Sequence, residues 1–419
     1  MRLTAVLLVL VLGCGVIARD AGVRKPINAN AKPFGNNYSS GQACAINLKK
    51  DFPRNQPLVL STSGRLVMPD TKGTLQLQPG QVIILSCPGK ENKLAKLGTK
   101  ESAVSCGSGS ELNVSPDKRL PMKELDCTSL IQHSARKNEG EKCEVPGNYQ
   151  VIDIGFDLPN GTLIPVLKTC FDPKNEDAIY AKFTMTPSIG GAQSGEQRPQ
   201  FVEGPFYPNL NVNSKYVKEG QRATLAHILG SEELANKYIG EGDYYLARGH
   251  LAARADFVYS SHQRATFWYV NVAPQWQTFN GGNWNTLEDN VRKFASRSGG
   301  HELVVYTGTH GIATLPDAQG KEQPLYLSVD GSAAKLKVPA IFWKVVLEPS
   351  TGKGVAFVGV NNPYKEELET VCEDICDQID WLTWQPKKQK LGFGYCCAVT
   401  DLSRAVPNVP KLKITGLLV

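Results

Sequence analysis

The sequence predicts an α+β protein in which a small β-rich domain at residues 19–145 precedes a larger mixed domain at residues 146–419. In the first region, short apolar runs such as Leu58–Leu60 and Val82–Leu85 are separated by Gly, Pro, Asn and Asp, which is typical of short strands joined by turns. In the second region, longer strand-like runs alternate with helical patterns. A hydrophobic content of 41% and a charged content of 21% indicate a folded globular chain rather than a disordered one.

Several elements of the larger domain follow from its apolar pattern. Five runs predict strands, namely Val151–Phe156, Thr266–Val272, Leu303–Thr307, Ile341–Leu347 and Val355–Val360. The segment Asn283–Ser296 predicts a helix, because its large apolar residues recur on one helical face. These residues are Trp284, Leu287, Val291 and Phe294.

The first residues predict a signal peptide at residues 1–18, with a positive start and an almost wholly apolar run at Leu3–Val11. An uncleaved anchor is the alternative, although this run, like every later one, is shorter than the ~20 apolar residues of a spanning helix. Glycosylation sequons at Asn37, Asn113 and Asn160 also belong to an exported protein. We therefore expect a secreted, extracellular protein with no membrane partner.

Cysteine usage agrees with export. Of eleven cysteines, Cys14 lies in the signal peptide, and ten remain: Cys44, Cys87, Cys106, Cys127, Cys143, Cys170, Cys372, Cys376, Cys396 and Cys397. An even number in an oxidising compartment predicts up to five disulfides. Each side of the predicted domain boundary holds an odd number, so either one bridge crosses it or two thiols are free. Zinc binding by the last four cysteines is an alternative, but adjacent cysteines rarely share one tetrahedral site.

One segment of the larger domain carries residue types suited to phosphodiester hydrolysis. It contains Arg248 and His250 in an Arg-Gly-His triplet, followed by Asn271, Asn280 and Glu288. Histidine can accept a proton from water near neutral pH, and arginine presents a fixed fork of donors to phosphate. Asparagine and glutamate offer the oxygen ligands that Mg²⁺ prefers. We expect His250 to end one strand and Asn271 to lie on the next. Asn280 should then enter the helix that carries Glu288.

Each of these residues has a simpler interpretation when it is taken alone. A single histidine is more often a surface or core residue than a catalyst, and the chain has six. The run Asn280-Gly281-Gly282 would by itself be a turn, and Glu288 would be an ion-pair or capping residue. Only the combination favours a functional interpretation.

In combination, the Arg-Gly-His triplet and the later Asn-x-x-Pro-Gln, Asn-x-Gly-x-Trp and Leu-Glu motifs resemble the DNA/RNA non-specific endonuclease family. The resemblance covers about residues 150–400, is densest at residues 244–288, and is closest to the secreted arthropod branch. It implies a ββα-metal (His-Me finger) fold with a central antiparallel sheet. It also implies a Mg²⁺ cofactor, for which Mn²⁺ can substitute, and cleavage of DNA and RNA to 5′-phosphate products.

The resemblance implies a role for each matching residue. His250 matches the general base, Asn280 the protein ligand of the metal, and Glu288 the carboxylate that holds metal-bound water. Asn271 matches the asparagine that frames the site beside the histidine, and Arg248 is the arginine of the signature.

Further basic residues are matched less closely. Arg198 loosely matches a transition-state arginine, with Arg222 as a rival, and Arg254 is a further candidate for substrate binding near the site. The chain departs from the family at Ala247, where many members have Asp. This departure bears on metal preference and pH optimum more than on activity.

The function that the resemblance implies is a secreted metal-dependent endonuclease acting on DNA and RNA, mainly double-stranded, with little sequence specificity. The alternative is a catalytically weak secreted nucleic-acid-binding protein of the same fold. The base, the metal ligand, the carboxylate and the signature arginine are all present, which favours the enzyme. The sequence contains neither the Gly-x-Ser-x-Gly motif of serine hydrolases nor the His-Glu-x-x-His motif of zinc proteases. Nucleic acid is the expected partner, and no obligate protein partner is indicated.

Charge is divided unevenly between the two regions. Residues 19–145 carry 19 Lys and Arg against 12 Asp and Glu, whereas residues 146–419 carry 26 against 28. A polyanion would be drawn to the basic region through salt-sensitive, sequence-independent contacts. The candidates are Lys49, Lys50, Lys90, Lys93, Lys96, Lys100, Lys118 and Arg119, with Arg136 and Lys137 as a further pair. A purely solubilising role is the alternative.

Overall fold

The computed structural model of the chain describes residues 42–297, 299–330 and 333–419. The predicted signal peptide at residues 1–18, Cys14 and the sequon at Asn37 lie outside these described residues. Within the described ranges, no helix combines the length and the apolar character that crossing a bilayer requires.

The first region forms two small antiparallel sheets. Its strands are β1 (Cys44–Asn47), β2 (Leu58–Ser61), β3 (Thr74–Leu77), β4 (Val82–Ser86), β5 (Glu101–Ser108), β6 (Glu111–Ser115) and β7 (Lys118–Pro121). β1 pairs with β3, and the other five form a sheet in the order β2-β4-β5-β6-β7. Both apolar runs predicted as strands here are confirmed, and their side chains are largely buried.

The larger region contains fifteen strands within the described residues. They are β8 (Ser134–Lys137), β9 (Gln150–Asp157), β10 (Leu163–Asp172), β11 (Asp177–Met185), β12 (Leu246–His250), β13 (Val272–Trp276), β14 (Leu303–His310), β15 (Thr314–Pro316), β16 (Glu322–Pro324), β17 (Tyr326–Asp330), β18 (Ala333–Lys337), β19 (Ile341–Glu348), β20 (Lys353–Val360), β21 (Gly394–Cys397) and β22 (Gly416–Leu417).

Nine of these strands form one mainly antiparallel sheet. Its order is β21-β20-β19-β14-β11-β10-β9-β8, and β22 pairs in parallel with β20. Four of the five predicted strand runs lie in this sheet. The fifth prediction, Thr266–Val272, is wrong, because that segment holds a 3-10 turn at Tyr269–Asn271 and β13 begins only at Val272.

Helices are short and flank the sheets. They are α1 (Val212–Lys215), α2 (Lys218–Leu229), α3 (Glu232–Tyr238), α4 (Ser260–Ala265), α5 (Gln277–Phe279), α6 (Asn285–Ala295) and α7 (Val399–Ala405). The predicted amphipathic helix corresponds to α6 and the turn before it, and its four apolar residues are buried. Phe279 and Trp284 pack on Phe342 of β19, so the unit β12–β13–α6 lies on one face of the large sheet.

The two regions meet in one continuous apolar core. The Oγ of Ser188 donates to the carbonyl of Pro69, and the Oη of Tyr259 donates to the carbonyl of Val67 at 2.6 Å. The large sheet begins before residue 146, where the sequence placed the domain boundary, because β8 pairs with β9. β8 has only four residues, and they are mostly polar. The sequence therefore contained no apolar pattern to indicate that β8 belongs to the large sheet.

All ten cysteines of the described chain are paired. The bridges are Cys44–Cys106, Cys87–Cys127, Cys143–Cys170, Cys372–Cys397 and Cys376–Cys396. The prediction of five disulfides is confirmed, and Cys143–Cys170 is the bridge that crosses residue 145. The zinc alternative for the last four cysteines is wrong, because both of their bridges leave no thiolate for a metal.

One predicted glycosylation site does not fit the fold. The side chain of Asn113 is 3% exposed, and its Nδ2 donates to Ser105 and to the carbonyl of Cys106. A glycan would replace one of the two hydrogens on that nitrogen, break one of these bonds and require space inside the sheet, so the prediction at Asn113 is wrong. Asn160 is exposed in the turn before β10 and stays a prediction.

Candidate active site

The Arg-Gly-His triplet ends β12, where the strand pairs with β13 in antiparallel register. Its glycine is required by a close approach, since a Cβ on Gly249 would lie 2.4 Å from the Oε1 of Gln275. Arg248 and His250 line the same cavity on either side of this glycine. The triplet therefore needs its small central residue for packing, while the two flanking side chains serve the site.

His250 is held neutral by its surroundings. Its ring contacts those of Phe201 and Phe267, with centroids 5.1 and 4.9 Å away. Its Nε2 is buried and has no hydrogen-bond partner among the described residues. Burial, with the positive charges of Arg198 and Arg254, lowers the pKa of His250 to about 3. The imidazole is therefore unprotonated at pH 7 and can accept a proton.

Arg248 is fixed from several sides. Its Nε donates to the Oη of Tyr269 at 2.8 Å, and its Nη2 donates to the Oδ1 of Asn213 at 2.7 Å. The guanidinium also lies 5.0 Å from the ring centre of Tyr216 and 5.8 Å from that of Phe201. These contacts hold the positive charge at the wall of the cavity before any substrate binds.

Asn271 has a structural position that the sequence did not predict. It ends the 3-10 turn before β13 instead of lying on the strand, and it is 0% exposed. Its Oδ1 accepts from the amide of Ala252, and its Nδ2 donates to the carbonyls of Ala252 and Thr266. The side chain does not line the cavity. Its hydrogen bonds hold the backbone at Ala252, two residues after His250.

Asn280 begins a π-helical turn, Asn280–Trp284, that leads directly into α6. Its Nδ2 donates to the Oε1 of Gln277 at 2.9 Å, which fixes the amide and leaves Oδ1 as the atom available to a ligand. Both Asn280 and Gln277 line the cavity. The expectation that Asn280 enters the helix carrying Glu288 is confirmed by this turn.

Two residues give the π-turn its shape. Gly282 is non-helical within it, and a Cβ there would lie 2.5 Å from the carbonyl oxygen of Leu391. The buried Asn283 donates from Nδ2 to the carbonyls of Gln385 and Gly392. The disulfide-rich loop that follows β20 therefore holds in place the turn that carries Asn280.

Glu288 lies on α6 within a group of four charged residues. Asp256 is 4% exposed and forms an ion pair with Arg292, with 2.8 Å between Oδ1 and Nη1. Lys344 of β19 is 1% exposed. Burial and the negative charge of Asp256 raise the pKa of Glu288, while Lys344 and Arg292 oppose this effect. Two carboxylates therefore share one side of the site with two cations.

Three members of this group were missed by sequence reasoning. Arg292 follows Glu288 by one helical turn, and this i, i+4 spacing was a usable signal. Asp256 and Lys344 come from other elements, so no spacing in the sequence relates them to Glu288.

A single cavity of about 1010 Å³ brings the predicted residues together. His250, Arg248, Asn280, Glu288, Arg198 and Arg254 all line it. The rival arginine, Arg222, does not line it and instead donates to the carbonyl of Ile239.

The donors in this cavity suit a hard divalent cation. Asn280 and Glu288 offer oxygen atoms only, and the fixed amide of Asn280 directs its carbonyl oxygen away from Gln277. Mg²⁺ and Mn²⁺ take such ligands while keeping several waters. Elsewhere in the described chain, one cluster of potential ligands contains Asp374, Cys376 and Cys396, and its two cysteines are bonded to each other.

The predicted basic residues of the first region are surface side chains that do not line the cavity. Several already have partners. Lys96 pairs with Glu124 at 3.0 Å, and Lys100 donates to the carbonyl of Lys90. Arg119 donates to Asn113. The further pair is also engaged: Arg136 contacts Asp157 and Lys137 contacts Glu139. Lys49 and Lys50 are exposed in the turn after β1.

Known proteins are similar to this chain over most of its length. A family model described as DNA/RNA non-specific endonuclease matches residues 148–402. A salivary endonuclease of Lutzomyia longipalpis is 27% identical over 374 residues, covering 86% of this chain and 83% of the relative. A salivary endonuclease of Culex quinquefasciatus is 25% identical, covering 87% and 90%. The salivary protein Tsal2A of Glossina morsitans morsitans is 21% identical, covering 90% and 94%.

Among solved structures, the EndoG/EndoGI complex aligns with a TM-score of 0.37 and 18% sequence identity. The alignment covers 61% of this chain and 89% of the solved one.

Proposed function

The chain belongs to the DNA/RNA non-specific endonuclease family and is an endonuclease, and we propose that it is a secreted enzyme in which His250 is the general base. The substrates are DNA and RNA, chiefly double-stranded, cut with little regard for sequence. Five disulfides and the salivary endonucleases among its relatives support secretion. The observation that carries the proposal is the neutral His250 in one cavity with Asn280, Glu288 and four arginines.

The chemistry begins with a proton transfer. His250 has its Nε2 buried, so Nδ1 is the ring nitrogen that can reach water in the cavity. Taking a proton from that water makes it a stronger nucleophile toward the phosphorus atom. A phosphate placed beside Arg198 and Arg254 would offset their charges, which removes one cause of the lowered pKa of His250 and makes it a better base. Cleavage of the bond to the 3′ oxygen leaves a 5′-phosphate.

Arginines supply the positive charge that the substrate needs. Arg198 is exposed at the cavity, 5.9 Å from the ring centre of Phe267, and can move onto a phosphoryl oxygen. Arg254 donates to the carbonyl of Glu196, which ties it to the loop that carries Arg198. Arg248 is already immobilised, so it orients the substrate at low entropic cost.

Asn280 would be the direct ligand of Mg²⁺ or Mn²⁺, and Glu288 would hold the water around the ion through hydrogen bonds. When bound, the ion stabilises negative charge on the phosphoryl and leaving oxygens. Burial and Asp256 raise the pKa of Glu288, and the positive charges of Lys344 and Arg292 counteract part of this rise.

One gel assay tests the proposal. The purified protein is incubated with duplex DNA, single-stranded DNA and double-stranded RNA, with Mg²⁺ and with excess EDTA. We expect cleavage of both duplexes that EDTA abolishes. Binding without cleavage under all metal conditions would contradict the proposal and favour a nucleic-acid-binding protein of the same fold. Undiminished cleavage after exhaustive chelation would contradict the metal requirement.

A further inference from the structure

The first region reaches the edge of the active-site cavity at one place. Gln193 lines the cavity, and its Nε2 donates to the carbonyl of Leu48 at 2.8 Å. The amide of Leu48 donates in turn to the carbonyl of Gly73 at 2.9 Å. The turn after β1 and the turn before β3 are therefore joined to the cavity wall by hydrogen bonds.

Backbone packing at this place is tight. Gly190 also lines the cavity, and a Cβ on it would lie 2.9 Å from the carbonyl oxygen of Thr71 and 3.1 Å from the Cβ of Ser296. A Cβ on Gly191 would lie 2.0 Å from the amide nitrogen of Gly73. Only glycines allow the Thr71–Gly73 turn to approach so closely, so the turn is a fixed part of the cavity edge.

Three lysines project from these two turns. Lys49, Lys50 and Lys72 are exposed, and none forms an ion pair with any residue of the described chain. The nearby carboxylates of Asp51 and Asp70 accept hydrogen bonds from backbone amides of the same two turns. Asp51 accepts from the amide of Asn47, and Asp70 accepts from the amides of Lys72 and Thr74.

We propose that these three lysines, called here the rim (Lys49, Lys50 and Lys72), bind the phosphate backbone of nucleic acid that extends beyond the scissile bond. The inference rests on the proposed endonuclease function and assigns the first region a direct role in substrate binding. The three lysines lie on a rigid edge beside a cavity lined by arginines. They therefore extend the positively charged surface of that cavity. Double-stranded nucleic acid carries a second backbone across a groove about 6 or 12 Å wide, and the rim offers that backbone a contact outside the cavity.

The rim differs from the other basic residues of the first region in its partners and its place. Lys96 is paired with Glu124, and Lys100 is bonded to the carbonyl of Lys90. Lys118 belongs to β7, an edge strand of the five-stranded sheet, and no hydrogen bond joins that strand to the catalytic region among the described residues. The strongest effect on binding should therefore come from the rim.

Binding of duplex DNA against salt concentration tests the proposal. All variants carry His250→Ala to prevent cutting. The rim variant is Lys49→Glu, Lys50→Glu and Lys72→Glu. A control variant with the same charge change, Lys123→Glu, Lys411→Glu and Lys413→Glu, uses exposed lysines that do not line the cavity. A third variant, called here the remote variant, carries Lys90→Glu, Lys93→Glu and Lys118→Glu. It tests lysines of the first region outside the rim.

We expect the rim variant to bind at least about tenfold more weakly at 0.1 M salt, with a slope of log K against log[salt] reduced by about 2–3 units. The control variant should keep the parent slope within about half a unit. An unchanged slope in the rim variant would overturn the proposal. An equal loss in the control variant, or a larger loss in the remote variant, would also overturn it.

A second measurement separates this inference from the proposed function. With His250 restored, kcat/KM is compared for a long duplex and for a nitrophenyl ester of thymidine phosphate, which fits within the cavity. The rim substitutions should lower the ratio of the two values by about tenfold or more. If the parent protein cleaves neither substrate, the proposed function fails. If the parent cleaves both and the ratio is unchanged, only the rim fails.

Discussion

Two histidines of the described chain, His250 and His262, have their pKa lowered to about 3, and they differ in their surroundings. His262 is 3% exposed in α4 and packs against two aromatic rings, and burial alone accounts for its shift. His250 instead lines a cavity and has two arginines beside it. A lowered histidine pKa is therefore a sign of burial. A position in a cavity beside charged residues is the further sign of a functional site.

Sequence reasoning predicted the residues of the site better than their roles. Spacing places His250, Asn280 and Glu288 together because strand, turn and helix follow one another along the chain. Arg248 is held by the side chains of Tyr269 and Asn213. Asn271 is held by backbone groups of Ala252 and Thr266, so spacing alone could not show these hydrogen bonds. Arg248 lines the cavity, whereas Asn271 does not.

At the residue scale, Asn280→Ala should remove the proposed direct ligand of the metal. We expect kcat to fall by ~10²-fold or more and the Mg²⁺ concentration for half-maximal activity to rise, because alanine offers no oxygen to the metal. Glu288→Gln should have a milder effect of about 10–100-fold, because the amide can still hold water by hydrogen bonds. Steady-state rates over a Mg²⁺ titration measure both.

The control for this pair is Asn236→Ala, which removes an exposed amide on α3 and should retain parent activity. If Asn280→Ala kept the parent rate and the parent Mg²⁺ requirement, Asn280 would not be the ligand.

At the element scale, the π-turn is the feature that the sequence could not supply. The pattern of Asn283–Ser296 predicts a helix and gives its buried face correctly, but it does not show the kink within the π-turn, where the backbone of Gly282 is non-helical. Gly282 reads as a flexible or turn residue in the sequence. In the fold, its missing Cβ is what lets residues 389–391 pack against the turn.

Gly282→Ala therefore tests whether the shape of the turn matters for activity. The new Cβ would meet the carbonyl oxygen of Leu391 at 2.5 Å and its Cα at 2.9 Å, so the turn or the loop must move. We expect a loss of stability of about 1–3 kcal/mol. We also expect a loss of kcat of about tenfold or more, because Asn280 moves with the turn. Thermal unfolding and steady-state rates measure the two effects.

Gly220→Ala is the matched control, because it lies in α2 and its added Cβ would meet only the carbonyl oxygen of Ser214, at 3.3 Å. Alanine favours a helix over glycine by about 1 kcal/mol, which offsets this contact, so the stability should stay within about 1 kcal/mol of the parent value. Full activity in Gly282→Ala at parent stability would show that the turn is not held by this contact.

At the scale of the whole molecule, the two regions are less separate than their sequences suggest. Composition distinguishes them clearly, since one is basic and rich in cysteine. Yet β8 joins the large sheet, Cys143–Cys170 crosses the predicted boundary, and one apolar core includes residues of both regions. Long-range pairing of this kind leaves no local pattern, which is why the boundary could not be placed from the sequence.

Stability should depend on pH through the buried histidines. Burial lowers the pKa of His133 to about 4 and that of His262 to about 3, below the usual value near 6.5. Between these values only the unfolded chain takes up the protons. The free energy of unfolding should therefore fall with decreasing pH, by up to about 1.4 kcal/mol per pH unit for each histidine. Above pH 6.5 this contribution should be constant.

Thermal unfolding from pH 7 to pH 4 measures this dependence. His262→Phe keeps the aromatic packing and removes one titrating group, so its Tm should fall less steeply below pH 6.5 than that of the parent. Parallel curves for parent and variant would contradict the assignment of His262 as a buried neutral histidine.

The central claim is that His250 is the general base, and single-turnover cleavage of duplex DNA by His250→Ala tests it most directly. The variant should cleave ~10²–10⁴-fold more slowly, or slower still, while its dissociation constant for the duplex stays within about threefold of the parent value. His227→Ala, which changes an exposed histidine on α2, should cleave at the parent rate. Cleavage by His250→Ala within about tenfold of the parent rate would contradict the claim.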